Sequence, residues 1–101
     1  MTTFGGLRVS WLQAFVAVVA TGKRTAAASE LGVDQATVSR HVQSLELWLG
    51  RLLFDLGVPA RLLPDGEDFL PVAQEVLRLL EEARLRPLSA GSIVPLIIGQ
   101  E

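Results

Sequence analysis

The sequence predicts a mainly α-helical domain: three helices around one small core, a short two-stranded hairpin, then a long helix. Three observations predict it. Apolar residues recur at spacings of three and four through most of the first half, the period of helices that bury one face. Gly22, Gly32 and Gly50 each follow the last apolar residue of such a stretch, where a helix ends in a left-handed residue. After Pro64 the helical period resumes and runs to Pro87.

The first helix spans Leu7 to Ala20, with Leu7, Trp11, Leu12, Phe15, Val16, Val18 and Val19 forming a broad buried face. Ser10 would cap it if it began late, and Gly22 stops it. Thr25 precedes Ala26-Ala27-Ala28, small helix-favouring residues that let a neighbour approach closely. This second helix closes at Leu31-Gly32. Asp34 is suited to accept the free amides of a third helix, which runs from Gln35 to about Leu49 with Val38, Val42, Leu45 and Leu49 inward. Two helices joined by the turn Gly32-Val33-Asp34 make a helix-turn-helix.

Leu52-Leu53-Phe54 and Arg61-Leu62-Leu63 read as two short strands around a loop, Asp55 to Ala60, that contains Gly57 and Pro59. Alternatively, Arg51 to Phe54 extends the preceding helix, which Gly50 argues against. The last helix opens at Pro64 with Asp65, Glu67 and Asp68 near the positive end of its dipole. Pro71 is tolerable within the first turn and kinking beyond it. Phe69, Ala73, Val76, Leu80 and Ala83 step by four, three, four and three, a heptad seam that Leu70, Leu77 and Leu79 widen. An apolar helix at the end of a small domain needs a second surface, and its counterpart in another copy of the chain is the obvious one. The tail holds an apolar segment, Ile93 to Ile98, that reads as one unpartnered strand. The chain thus divides into a helix-turn-helix unit with its hairpin (1–64), a dimerisation helix (65–86) and a tail (87–101).

Composition bounds the function. The 101 residues are 50% hydrophobic and 20% charged, enough for a core and too apolar for wholesale disorder. A chain this short buries proportionately little surface, so a second copy would help. Cysteine is absent, which removes disulfides and thiolate metal sites. The single histidine, His41, has no ligand partners, so no metal or cofactor is expected. No basic-then-apolar stretch opens the chain, and the run Ala14 to Ala20 is too short for a membrane span. A cytoplasmic protein without a membrane partner is the expectation. Ser10, Ser29, Ser39, Ser44, Ser89 and Ser92 lack a glycine-framed elbow, and Gly5-Gly6 lacks the strand and lysine of a phosphate loop. An enzyme is not expected.

Net charge is −2, but its distribution matters more. Residues 1–63 hold six basic and four acidic groups, and residues 64–101 hold three basic and seven acidic ones. The first part suits a polyanion; the second avoids one. On the outward face of the third helix, Gln35, Thr37, Ser39, Arg40, His41 and Gln43 offer hydrogen-bonding groups, with no acid before Glu46. Gln35 can pair with adenine or reach a phosphate, Arg40 beside Ser39 can read guanine or hold a phosphate, and Thr37 can touch a thymine methyl. Lys23, Arg24 and Thr25 open the second helix, where amides and charges meet phosphate. Arg61 on the hairpin can reach a minor groove or the backbone.

From Leu12 to Leu80 the chain resembles the N-terminal DNA-binding module of LysR-type transcriptional regulators. The resemblance is carried by Leu12, Phe15 and Ala17; by Gly22, Thr25, Ala27, Ala28, Leu31 and Val33; and by Gln35, Val38, Ser39, Arg40, Leu45, Glu46, Leu49 and Gly50. It continues through Leu53-Phe54, Arg61-Leu62, Gly66-Glu67, Leu70-Pro71 and Ala73. It implies a winged helix-turn-helix whose long helix pairs two subunits, and sequence-specific binding of double-stranded DNA in transcription regulation. Dimerisation then falls to Phe69, Ala73, Val76, Leu77, Leu80 and Ala83.

Departures from the family pattern gather where DNA contact is expected. Leu56 and Ala26 stand where arginines are usual, Gln43 and Ser44 replace paired basic residues, Leu63 replaces a threonine, and the wing is shorter by about one residue. Weaker and less salt-dependent binding follows, with the salt slope falling by about 0.9 per lost phosphate contact. Leu47 and Trp48 replace polar residues, which makes them an expected extra contact for a heterodimer or other protein partner. The competing reading is therefore an interaction module with little DNA binding of its own. The family's two-lobed effector-binding domain is represented only by Ile97-Ile98-Gly99, which resembles its first strand, so no small-molecule effector pocket is expected in this chain.

Overall fold

A computed structural model describes residues 5–55 and 61–87. The order is α1 (Val9–Thr21), α2 (Arg24–Leu31), α3 (Gln35–Leu49), β1 (Phe54–Asp55), β2 (Arg61–Leu62) and α4 (Pro64–Leu85). The expected mainly helical winged architecture is what the chain adopts. Residue 56, with the rest of the expected wing loop beyond Asp55, and the expected strand Ile93 to Ile98 lie outside the described residues.

Each helix boundary has a local cause. Gly22, Gly32 and Gly50 all take positive φ between 73° and 79°, closing α1, α2 and α3 as expected. At Gly50 the amide donates to the Glu46 carbonyl at 2.8 Å, and the next amide, of Arg51, donates to the same oxygen at 3.1 Å. That turn stops α3 and excludes its extension through Phe54. Asp34 caps α3, its Oδ1 accepting the Thr37 amide at 2.7 Å. The start of α1 differs from expectation: Arg8 is the extended residue before it, with no side-chain cap. Ser10 therefore sits within the first turn and caps nothing.

The core lies where α1, α2 and α3 meet. Leu12, Ala14, Phe15 and Val18 of α1 pack with Ala27 and Ala28 of α2 and with Val38, Val42 and Leu45 of α3. Ala27 and Ala28 are buried, and their small side chains let α2 lie close against its neighbours. Phe15 is the hub. Its ring meets Phe54 of β1 edge-on at 5.6 Å and Phe69 of α4 at 5.8 Å, so one side chain ties the wing and the last helix to the three-helix core.

The wing is smaller than expected. Two residues pair on each side, antiparallel, with Phe54 opposite Leu62 and Asp55 opposite Arg61. Leu52 and Leu53 precede the strand. One more bond joins the two sides, the Leu63 amide donating to the Leu53 carbonyl at 2.9 Å. Just beyond, Gly66 is buried in the first part of α4, and a Cβ there would overlap the Leu53 carbonyl oxygen and the Leu62 side chain. The helix therefore passes over the wing at a distance only glycine permits.

Pro71 lies beyond the first turn of α4, yet the helix runs through it to Leu85. The missing proton costs the bond to the Glu67 carbonyl. Glu67 and Pro71 are both exposed, which leaves that carbonyl's stretch of helix open to water. The apolar face of α4 is divided between the core and solvent. Ala73 is fully buried, and Phe69 and Leu77 are half-buried against the core. These three expected dimerisation residues are thus used largely within the chain, because α4 crosses α1 at this point. Val72, Val76, Leu79, Leu80 and Leu85 remain exposed beside them.

Candidate nucleic-acid interface

The interface is built on the first turns of two helices. Gln35, Arg40 and Gln43 are exposed on α3, whereas Thr37, Ser39 and His41 are half-buried. The inward positions Val38, Val42 and Leu45 anchor the helix from below, so the polar side chains stand on a rigid base. Among the described residues, neither Gln35 nor Arg40 is covered, both being exposed.

Hydrogen bonds pre-arrange two of these groups. Arg40 Nη2 donates to Thr37 Oγ1 at 3.0 Å, turning the guanidinium back along the helix. Arg24 Nη1 reaches Ser39 Oγ at 3.4 Å, bridging the start of α2 to the middle of α3. Lys23 and Thr25 are exposed beside it. Lys23 is the extended residue before α2 and makes no side-chain cap bond, so the first amides of α2 are left for an outside acceptor. Arg61, on the wing, is also exposed. The expected contact residues thus lie at three places, the start of α2, the first nine residues of α3 and the wing.

Electrostatics separate this region from α4. Among the described residues the ion pairs lie on α4 and its end: Arg78 with Glu75 and Glu82, Arg84 with Glu81, and Arg86 with Glu82. Those cations are already answered. Lys23, Arg24 and Arg40 enter no ion pair among the described residues. Asp34 is the acid nearest the α3 start. Two hydrogen bonds from Thr37, with a smaller contribution from the Arg40 charge, hold its carboxyl below the usual aspartate range.

Two site features escaped the sequence reading. Glu46 is buried and its Oε2 accepts the amides of Leu53 at 2.8 Å and Phe54 at 3.2 Å. Its place directly after Leu45 on the inward side of α3 was the available signal. The second is the fate of Leu47-Trp48. Leu47 is 84% exposed, while Trp48 is half-buried against the core. The pair is divided, and Leu47 shares an open groove with Leu52 and Arg51. Among the described residues no group of three acids or histidines could hold a metal ion, and no helix is long and apolar enough to cross a membrane.

Comparison with known proteins gives the same picture. The family profile for bacterial regulatory helix-turn-helix proteins, lysR family, matches residues 9–67. An uncharacterized HTH-type transcriptional regulator of Methanocaldococcus jannaschii is 38% identical over 80 residues, 77% of this chain and 27% of that protein. A probable hydrogen peroxide-inducible genes activator of Mycobacterium avium is 36% identical over 92 residues, 90% of this chain and 29% of that one. The chain thus spans less than a third of either relative. Among solved structures, the CbnR DNA-binding domain in complex with DNA superposes with a TM-score of 0.73 at 32% identity, covering 76% of this chain and 90% of that one. The BenM DNA-binding domain on its benA site 1 DNA gives 0.72 at 33% identity, covering 76% and 88%.

Proposed function

The chain belongs to the lysR family of bacterial regulatory helix-turn-helix proteins, and from that premise we propose that it binds double-stranded DNA sequence-specifically, as a dimer, in transcription regulation. The observation that carries the reading is the open polar face of α3, with Gln35, Arg40 and Gln43 exposed above a buried apolar base. In this reading α3 enters the major groove. Gln35 and Arg40 meet base edges, with Thr37 orienting Arg40, while Ser39 and Gln43 lie along the groove wall. Lys23, Arg24, Thr25 and the α2 amides hold phosphates that set the register. Arg61 follows the backbone or the adjacent minor groove.

The partner copy docks on α4. The exposed Val76 and Leu80, with Ala83 on the same seam and Val72 and Leu79 beside them, form an apolar stripe flanked by Glu–Arg pairs. Two copies paired there place two recognition helices in successive major grooves, about 34 Å apart. The relatives are regulators, which supports a non-enzymatic, cytoplasmic protein.

Titration with a duplex selected from a random pool, against a scrambled duplex, at two salt concentrations tests the reading. Tighter binding of the selected duplex, with affinity falling as salt rises, is the expected result. No binding of either at low salt would sink it. Leu47, at 84% exposure, favours one second reading: the fold serves protein contact instead. Arg40→Ala separates the two. A fall in DNA affinity with dimerisation intact supports the first, and no change supports the second.

A further inference from the structure

Glu46 is the acidic side chain buried among the described residues, 8% exposed, and the DNA contacts proposed above make no use of it. A charged carboxylate is placed there at a desolvation cost unless it is hydrogen-bonded. It is bonded to the wing: one oxygen takes the amides of both Leu53 and Phe54. Its own main-chain carbonyl takes the amides of Gly50 and Arg51. Four donors on the path from the recognition helix to β1 therefore end on this single residue.

The wing needs such an anchor. Two residues pair with two, and a hairpin that small has little stability of its own in water. Asp55, the residue after the pinned Phe54 amide, pairs with Arg61. The position of Arg61 relative to α3 is thus set through Glu46, β1 and one step across the ladder. We propose that Glu46 is a positioning residue that holds the wing, and Arg61 with it, at a fixed place relative to the recognition helix when DNA binds.

The proposal rests on the DNA-binding reading, and its test keeps the two apart. The salt dependence of binding to the selected duplex is measured for the wild-type chain, Glu46→Met and Glu46→Gln, each with and without Arg61→Ala, and for Arg40→Ala, every variant checked for helix content at the working temperature. Arg61→Ala is expected to lower the salt slope by about 1 in the wild-type background. In the Glu46→Met background it should lower it no further, because the wing is already displaced. Glu46→Gln keeps an acceptor oxygen facing both amides and should retain the Arg61 effect. An equal Arg61 effect in wild type and Glu46→Met, or Gln behaving like Met, would overturn the proposal. So would a silent Arg61→Ala where Arg40→Ala still weakens binding. If neither arginine matters the DNA reading fails, and amide hydrogen exchange in the wild-type chain decides alone, as it does if Glu46→Met does not fold. Protected Leu53 and Phe54 amides support the anchor, and exchange as fast as an open loop refutes it.

Discussion

The two longest helices, α3 and α4, are both amphipathic, yet what each leaves over is opposite. In α3 the inward apolar positions Val38, Val42 and Leu45 are consumed by the core, and the outward face from Gln35 to Gln43 is mostly polar and free of acids, with Leu47 exposed only near the far end. In α4 the core consumes only part of the apolar face. Ala73 is covered, while Val72, Val76, Leu79, Leu80 and Leu85 stay exposed. Its arginines, and Arg86 just past its end, are paired with glutamates at spacings of three and four, each such exposed pair contributing little to stability. A helix whose outward first half is polar, above apolar residues taken up by the core, presents chemistry to a polar ligand. A helix with apolar residues to spare asks for another protein surface.

Breaking the floor that both helices share should have the largest effect. Phe15 touches both Phe54 and Phe69, so Phe15→Ala should cost about 3–5 kcal/mol by cavity formation, read as a lowered denaturation midpoint. Wing and α4 should melt together with α1 to α3. A wing that survives the change would show that the hub is elsewhere.

Sharpening the α4 side comes next. Leu80→Glu removes an exposed apolar side chain from the stripe and should weaken dimerisation by about 1.5–3 kcal/mol per buried leucine, seen by sedimentation. The monomer's helix content should stay unchanged. Gly66→Ala tests the close crossing of α4 over the wing. Overpacking against the Leu53 carbonyl should cost about 1–3 kcal/mol, visible in thermal unfolding, whereas a neutral outcome would mean the helix shifts freely.

The smallest expected effect is at the α3 cap. Asp34→Ala should lower the melting temperature at neutral pH by removing the bond to the Thr37 amide. Because the folded state holds this carboxyl below its unfolded value of ~3.9, the stabilisation is full above that pH. It is lost as pH falls through the lower folded value. The difference between wild type and Asp34→Ala should therefore be present at pH 7 and vanish in strong acid. A constant difference at all pH values would assign the effect to helix propensity instead.

Much of this contrast could be read from residue order alone, and what could not has physical causes. Helix ends at Gly22, Gly32 and Gly50 were legible because a left-handed terminus demands one residue type. The Asp34 cap and the polar face of α3 were legible for similar reasons of local chemistry. The heptad on α4 showed which residues share a face but not what covers them, so Phe69, Ala73 and Leu77 were assigned to a partner when α1 and the core take much of their surface. Glu46 was hidden because a carboxylate is ordinarily solvated, and only the fold brings the Leu53 and Phe54 amides over it. Leu47 and Trp48 are neighbours in sequence that a helix turns by about 100° from each other, which is why one is exposed and the other packs inward.

Backbone amide shifts of the labelled chain, followed while the selected duplex is added, address the division of labour between α3 and α4 most directly. Perturbations should concentrate at 23–25, 35–43 and 61, with Val76 to Leu85 unmoved. Shifts confined to α4, or centred on Leu47 with Gln35 and Arg40 silent, would contradict it.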